Sequence, residues 1–105
     1  MKRLHRMDLY GWSKFHEPLN IDFNSVLWVR SEGSVIIDPL PLSDHDLAHL
    51  RHLGGAAQIV ITNSMHLRAG LEVKRITGAQ LIGPIAEREK FGCDRYAADG
   101  ESIVP

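Results

Sequence analysis

The residues best equipped for chemistry lie in one stretch, Ile59-Val60-Ile61-Thr62-Asn63-Ser64-Met65-His66-Leu67-Arg68-Ala69-Gly70. The continuous β-branched run at its start reads as a strand buried on both faces. Thr62 ends the strand, a short polar loop follows, and a helix begins with a glycine in its first turns. His66 in that loop has the chemistry of a general base or of a polar anchor in a pocket. The plainer reading is a partly buried histidine held by a hydrogen bond. Asp38, after Val35-Ile36-Ile37, is the second candidate; a carboxylate there either serves a site or satisfies loop N–H groups. Asn63, Ser64, Arg68 and Gly83 are the candidate ligand contacts around these two.

Two other groups invite a chemical reading. His45, His49 and His52 stand at i, i+4 and i+7 of a predicted helix, a stripe able to hold a metal. They lie opposite Leu47, Leu50 and Leu53, so the expectation is three solvated imidazoles. Cys93 sits in a late loop with no base near it in sequence and reads as a half-buried small residue. No Gly-rich phosphate loop follows a strand, which disfavours nucleotide binding, and no GxSxG elbow is present.

The elements that must position these residues follow from the punctuation. Residues 9–15 alternate and suggest an edge strand. Val26-Leu27-Trp28-Val29 and Val35-Ile36-Ile37-Asp38, joined through Gly33, read as a β-hairpin that Pro39 ends. Ser43 is a helix N-cap with Asp44 and Asp46 in the first turn, and Gly54-Gly55 stops that helix. Asn63-Ser64 caps a second helix that Gly78 ends. On it Ala69, Val73 and Ile76 share a face with His66, while Arg68, Glu72 and Arg75 form a polar stripe. Leu81-Ile82 is a strand, Pro84 opens a short helix through Lys90, and Ser102-Ile103-Val104 is a last strand after the Asp99-Gly100 turn. The order β-β-α-β-α-β-α-β implies a mixed α/β sheet. Its ligand edge, beyond the C-terminal ends of the parallel strands, carries Asp38, Asn63 to His66, and Gly83-Pro84.

Composition bounds the rest. A chain of 105 residues, 44% hydrophobic, supports one domain over 1–105. Twelve basic residues against 13 acidic ones give a net charge of −1, so neither nucleic acid nor an anionic membrane is expected as a partner. One cysteine excludes a disulfide framework. With no long apolar run and no h-region after the basic start, the expected setting is the cytoplasm.

From about Asn24 onward the chain resembles the metallo-β-lactamase fold family. The features carrying the resemblance are the hairpin ending in Asp38-Pro39, the strand–loop–helix at 59–70, Thr77-Gly78-Ala79-Gln80-Leu81-Ile82-Gly83, and the Asp99-to-Pro105 tail. Where the family carries an HxHxDH loop, Asn63 and Met65 stand at the first two histidines. Leu67 stands at the aspartate and Arg68 at the third histidine. Thr62 and Gly70 keep their places, and a variant branch with a TN-x-x-H-x-R loop is the nearer likeness. The resemblance implies the N-terminal half of an αββα sandwich with helices on one face of its sheet. It also implies a metallo-hydrolase-like protein, a fragment with a degenerate metal loop and with Asp38 supporting the site, whose parent, where active, hydrolyses an ester, amide or thioester. No cofactor is expected in this chain; zinc is the metal the resemblance raises, with His66 its one residual donor. The rival reading is a non-catalytic module that binds a small ligand or assembles. The half-sandwich resemblance implies as partner a second copy, packed sheet on sheet, or a missing C-terminal half.

Overall fold

The computed structural model describes residues 1–19 and 21–103. Seven strands form one sheet in chain order: β1 (Lys2–Arg3), β2 (Leu9–His16), β3 (Ile21–Trp28), β4 (Val35–Ile37), β5 (Gln58–Val60), β6 (Gln80–Pro84) and β7 (Arg95–Ala97). Strands β1 to β4 pair antiparallel, and β4 to β7 pair parallel. Helices α1 (Asp44–His52) and α2 (Gly70–Thr77) make the first two parallel crossovers.

The register sorts the side chains into two faces. Tyr10, Leu27, Ile36, Ile59 and Leu81 stand side by side in one row across the sheet. Leu50 of α1 and Val73 of α2 pack into the same buried cluster, with Trp12, Leu40 and Ile61. Both helices therefore cover one face, as the resemblance implies. The next row, Gly11, Val26, Ile37, Val60 and Ile82, points to the other face. That face is less bare than the two-faced apolar strands suggest. The segment Ala98 to Ile103 turns back beside Val60 and Ile82, held by Gln58 Nε2 donating to the Ile103 carbonyl at 3.4 Å. Ile82 is fully buried, while Val26, Ile37 and Val60 are half-buried.

Local signals that depend on one or two residues were legible. Ser43 Oγ accepts from the Asp46 N–H at 3.1 Å, capping α1. Gly78 closes α2 in the left-handed conformation, at φ 73°. The hairpin lies as expected, with Val26 opposite Ile37 and Trp28 opposite Val35.

Several expectations are corrected. Strand β2 is not the edge, because Lys2 and Arg3 pair with Gly11 and Tyr10 outside it. Strand β3 is longer than its apolar core suggests, starting at Ile21. Asn63 caps only a 3-10 turn, Ser64–His66; α2 starts at Gly70, with Ala69 as its N-cap. The run breaks because Arg68 takes φ 46°, which no helix continues through. Arg68 thus leaves the stripe with Glu72 and Arg75, and His66 leaves the Ala69–Val73 face. Pro84 ends β6 and is the N-cap of a short 3-10 helix, as expected, but that helix covers only Ile85–Glu87 and does not run through Lys90. The last strand is Arg95–Ala97, where Arg95 pairs with Ile82; Ser102 and Ile103 are not in a strand, and Val104 lies outside the described residues. Of the three α1 histidines, His45 and His52 are exposed. His49 is half-buried, edge-on to the Tyr10 ring at 5.4 Å and 3.4 Å from the Met1 amine.

Candidate functional site

Four adjacent parallel strands bring their C-terminal ends to one edge, and Asp38 and Thr62 meet there. The Asp38 N–H donates to the Val60 carbonyl at 2.9 Å, extending the β4–β5 ladder by one bond. The residue then turns left-handed, at φ 48°, which swings its carboxylate toward the end of β5. Oδ1 accepts from the Thr62 N–H at 2.8 Å, and Oδ2 accepts from the Thr62 hydroxyl at 2.7 Å. The carboxylate is buried, at 8% residue exposure, and these charge-assisted bonds compensate its desolvation.

His66 completes the cluster. Asn63 Oδ1 accepts from the His66 N–H at 3.2 Å, which closes the 3-10 turn and returns the ring toward β5. Nδ1 lies 3.1 Å from Asp38 Oδ2 and 3.1 Å from Thr62 Oγ1. Since a carboxylate only accepts, the network assigns the proton on this edge of the ring to Nδ1. Nε2 makes no hydrogen bond in this network, on a side chain 42% exposed. The two candidate catalytic residues, 28 positions apart, are therefore in direct contact.

The candidate ligand contacts fare differently. Asn63 is occupied as the cap. The Ser64 N–H donates to a Glu87 carboxylate oxygen, so an internal anion already holds that donor. Glu87 gave no signal in the sequence, because a contact across 23 positions leaves no local pattern. Arg68 turns inward: Nη1 donates to the carbonyls of Asn24 at 2.8 Å and Asp38 at 2.9 Å, and the guanidinium lies 5.3 Å from the Phe23 ring centre. Gly83 is buried, and a Cβ there would stand 2.7 Å from Cys93 Sγ and 3.0 Å from Phe91. Gly83 also borders a small cleft with Thr62, Asp99 and Glu101. Burial, then the nearby Asp94 charge, pushes the Cys93 thiol pKa up, which keeps it protonated and a poor nucleophile.

Zinc requires three or four nitrogen, sulfur or oxygen donors converging at about 2 Å. Among the described residues no three His, Cys, Asp or Glu side chains form such a group. Asp38 Oδ2 and His66 Nδ1 face each other, and the Arg68 cation lies against the Asp38 carbonyl. The residues at this edge do not fit a metal ion.

The family model of the metallo-beta-lactamase superfamily matches residues 1–105. The chain belongs to the metallo-beta-lactamase superfamily. The match takes in β1 and β2 as well as the stretch from Asn24 that carries the likeness in the sequence. No curated protein matches the chain. As a superfamily member it places Asp38 and Thr62 at the C-terminal edge of the parallel strands, with side-chain hydrogen bonds joining them. No helix among its described residues is long and apolar enough to cross a membrane.

Proposed function

We propose that this is a metallo-hydrolase-like domain that performs no metal-centred hydrolysis at its own loop and instead binds a small ligand at this edge. The observation that carries the reading is the 3.1 Å contact between Asp38 Oδ2 and His66 Nδ1. It commits the inner face of the imidazole to the protein and leaves Nε2 as a polar anchor. A cleft bordered by Thr62, Pro84, Ala97 and Ile103 offers apolar walls, and Thr62 is the residue it shares with the Asp38–His66 network.

The test is metal analysis of protein purified without chelator, followed by ester and thioester hydrolysis assays with and without added zinc. Well under one metal per chain, and no zinc-dependent turnover, is the expected result. Stoichiometric zinc that is lost in His66→Ala overturns the proposal.

Assembly is the second reading. Val26, Ile37 and Val60 form a contiguous half-buried row on the face away from the helices, and Phe15 on the same face is 52% exposed. A two-fold dimer packed sheet on sheet covers this row. Light scattering with size exclusion at micromolar concentration checks it: a dimer supports the reading, and a stable 11.8 kDa monomer sinks it.

A further inference from the structure

Among the described residues, only two that are not glycine have positive φ: Asp38 at 48° and Arg68 at 46°. Such a backbone is strained for an L residue, and glycine would avoid the strain. Arginine gains nothing from this conformation through its backbone. Two backbone bonds flank it, Ala69 N–H to the Pro39 carbonyl at 3.1 Å and Gly70 N–H to the Leu67 carbonyl at 2.7 Å, and its side chain adds a hold on the other strained residue.

The β3–β4 ladder ends at the Val26–Ile37 pair. Beyond that rung the carbonyls of Asn24 and Asp38 lose their strand partners across the gap. Arg68 Nη1 donates to both, at 2.8 and 2.9 Å, and so adds one rung from a side chain. Ser25 Oγ also donates to the Asp38 carbonyl, at 2.7 Å, and accepts from the Leu40 N–H at 2.7 Å. The Phe23 ring supports the guanidinium from the side. The loop thus grips one aspartate at both ends: Thr62 and His66 on its carboxylate, Arg68 on its carbonyl.

We propose that Arg68 is the positioning residue of this site, a built-in cation that locks the left-handed turn of Asp38 and thereby fixes the His66 tautomer. The inference rests on the reading above that the loop is held by its own side chains. Metal analysis tests that reading and Arg68 variants test the clamp, so the two can fail separately.

The experiment uses the full chain, labelled with nitrogen-15, and records long-range proton–nitrogen correlations of the imidazoles at neutral pH. His66→Gln assigns the His66 signals. Wild type is expected to show one tautomer with the proton on Nδ1. Arg68→Gly deletes the side chain while easing the backbone, so the protein folds but loses that pattern to averaging between tautomers. Arg68→Lys, which keeps charge and donors, recovers it in part. An Arg68→Gly protein with the wild-type His66 pattern, or with a higher melting temperature than wild type, overturns the proposal. If Arg68→Gly does not fold despite its eased backbone, the side chain is required for the turn. Arg68→Gln then reads the tautomer, and an unchanged pattern there likewise overturns the clamp.

Discussion

Asp38 holds Thr62 by both carboxylate oxygens, one on the backbone N–H at 2.8 Å and one on the hydroxyl at 2.7 Å. This pair ties the end of β4 to the end of β5 at a point where the ladder has stopped. Asp38→Ala should cost about 2–3 kcal/mol, because it leaves the Thr62 N–H unpaired in a partly buried place. Asn tolerates the left-handed backbone and keeps one acceptor, so Asp38→Asn should cost less. Thr62→Val removes only the hydroxyl and should cost about 1 kcal/mol. Urea denaturation at neutral pH measures all three; an Asp38→Ala protein as stable as wild type would show that the carboxylate contributes nothing to the edge.

Asn63 accepts from the His66 N–H at 3.2 Å with an extended backbone, the geometry of an N-cap. Asn63→Ala should lower stability by about 1 kcal/mol, and Asn63→Ser should restore most of it. No loss in the alanine variant would mean that the side chain is free to face a ligand.

Gly83 is fixed by its neighbours rather than by its own backbone. Alanine there meets Cys93 Sγ at 2.7 Å and Phe91 at 3.0 Å. The variant should be destabilised by about 1–3 kcal/mol through overpacking. Adding Cys93→Ala to Gly83→Ala should return part of the loss, since it removes one of the two obstacles. Strict additivity in this double-mutant cycle would contradict the contact.

The Asp94 pKa is held below its ordinary value of 3.8, first by the Leu81 N–H, which donates to Oδ2 at 2.7 Å, and then by Lys74 at 2.9 Å. A carboxylate lowered in the folded state stabilises fully above its unfolded pKa, and the benefit fades as pH falls through the folded one. Asp94→Asn should therefore be less stable than wild type at neutral pH. The gap should close as pH drops below about 4. Thermal melts across that range decide it; a gap that widens in acid would reverse the assignment.

Burial and the Asp94 charge both raise the Cys93 pKa. Alkylation by iodoacetamide near neutral pH should be slower in the folded chain than in urea. Asp94→Asn should speed it modestly in the folded state. Equal rates folded and unfolded would place the thiol in open solvent.

Much of the architecture was legible because its causes are local. Ser43 is followed by acidic residues and leucines at helical spacing, so capping and burial agree on one helix. Ile59-Val60-Ile61 has no polar residue to face water, which requires a central strand. Strand β7 escaped because Arg95-Tyr96-Ala97 lacks an apolar alternation; pairing with Ile82 and Gly83 makes it a strand. The α2 start was misplaced because nothing in the Arg68 type announces a positive φ.

The amino-acid sequence by itself determined the mixed α/β order, the helix caps at Ser43 and Gly78, and the family likeness that the match over residues 1–105 bears out. It also placed Asp38 and His66 at the same edge, because strand order and connection length bound where the ends of parallel strands lie. Only the tertiary structure decided what those residues do to each other. The Asp38–His66 contact spans 28 positions, Arg68 to Asn24 spans 44, and Ser64 to Glu87 spans 23. The Asp38 and Arg68 contacts go with left-handed backbone turns at those two residues, and nothing in the arginine type announces one. Local propensity cannot forecast a conformation whose stabilising partners come from elsewhere in the chain.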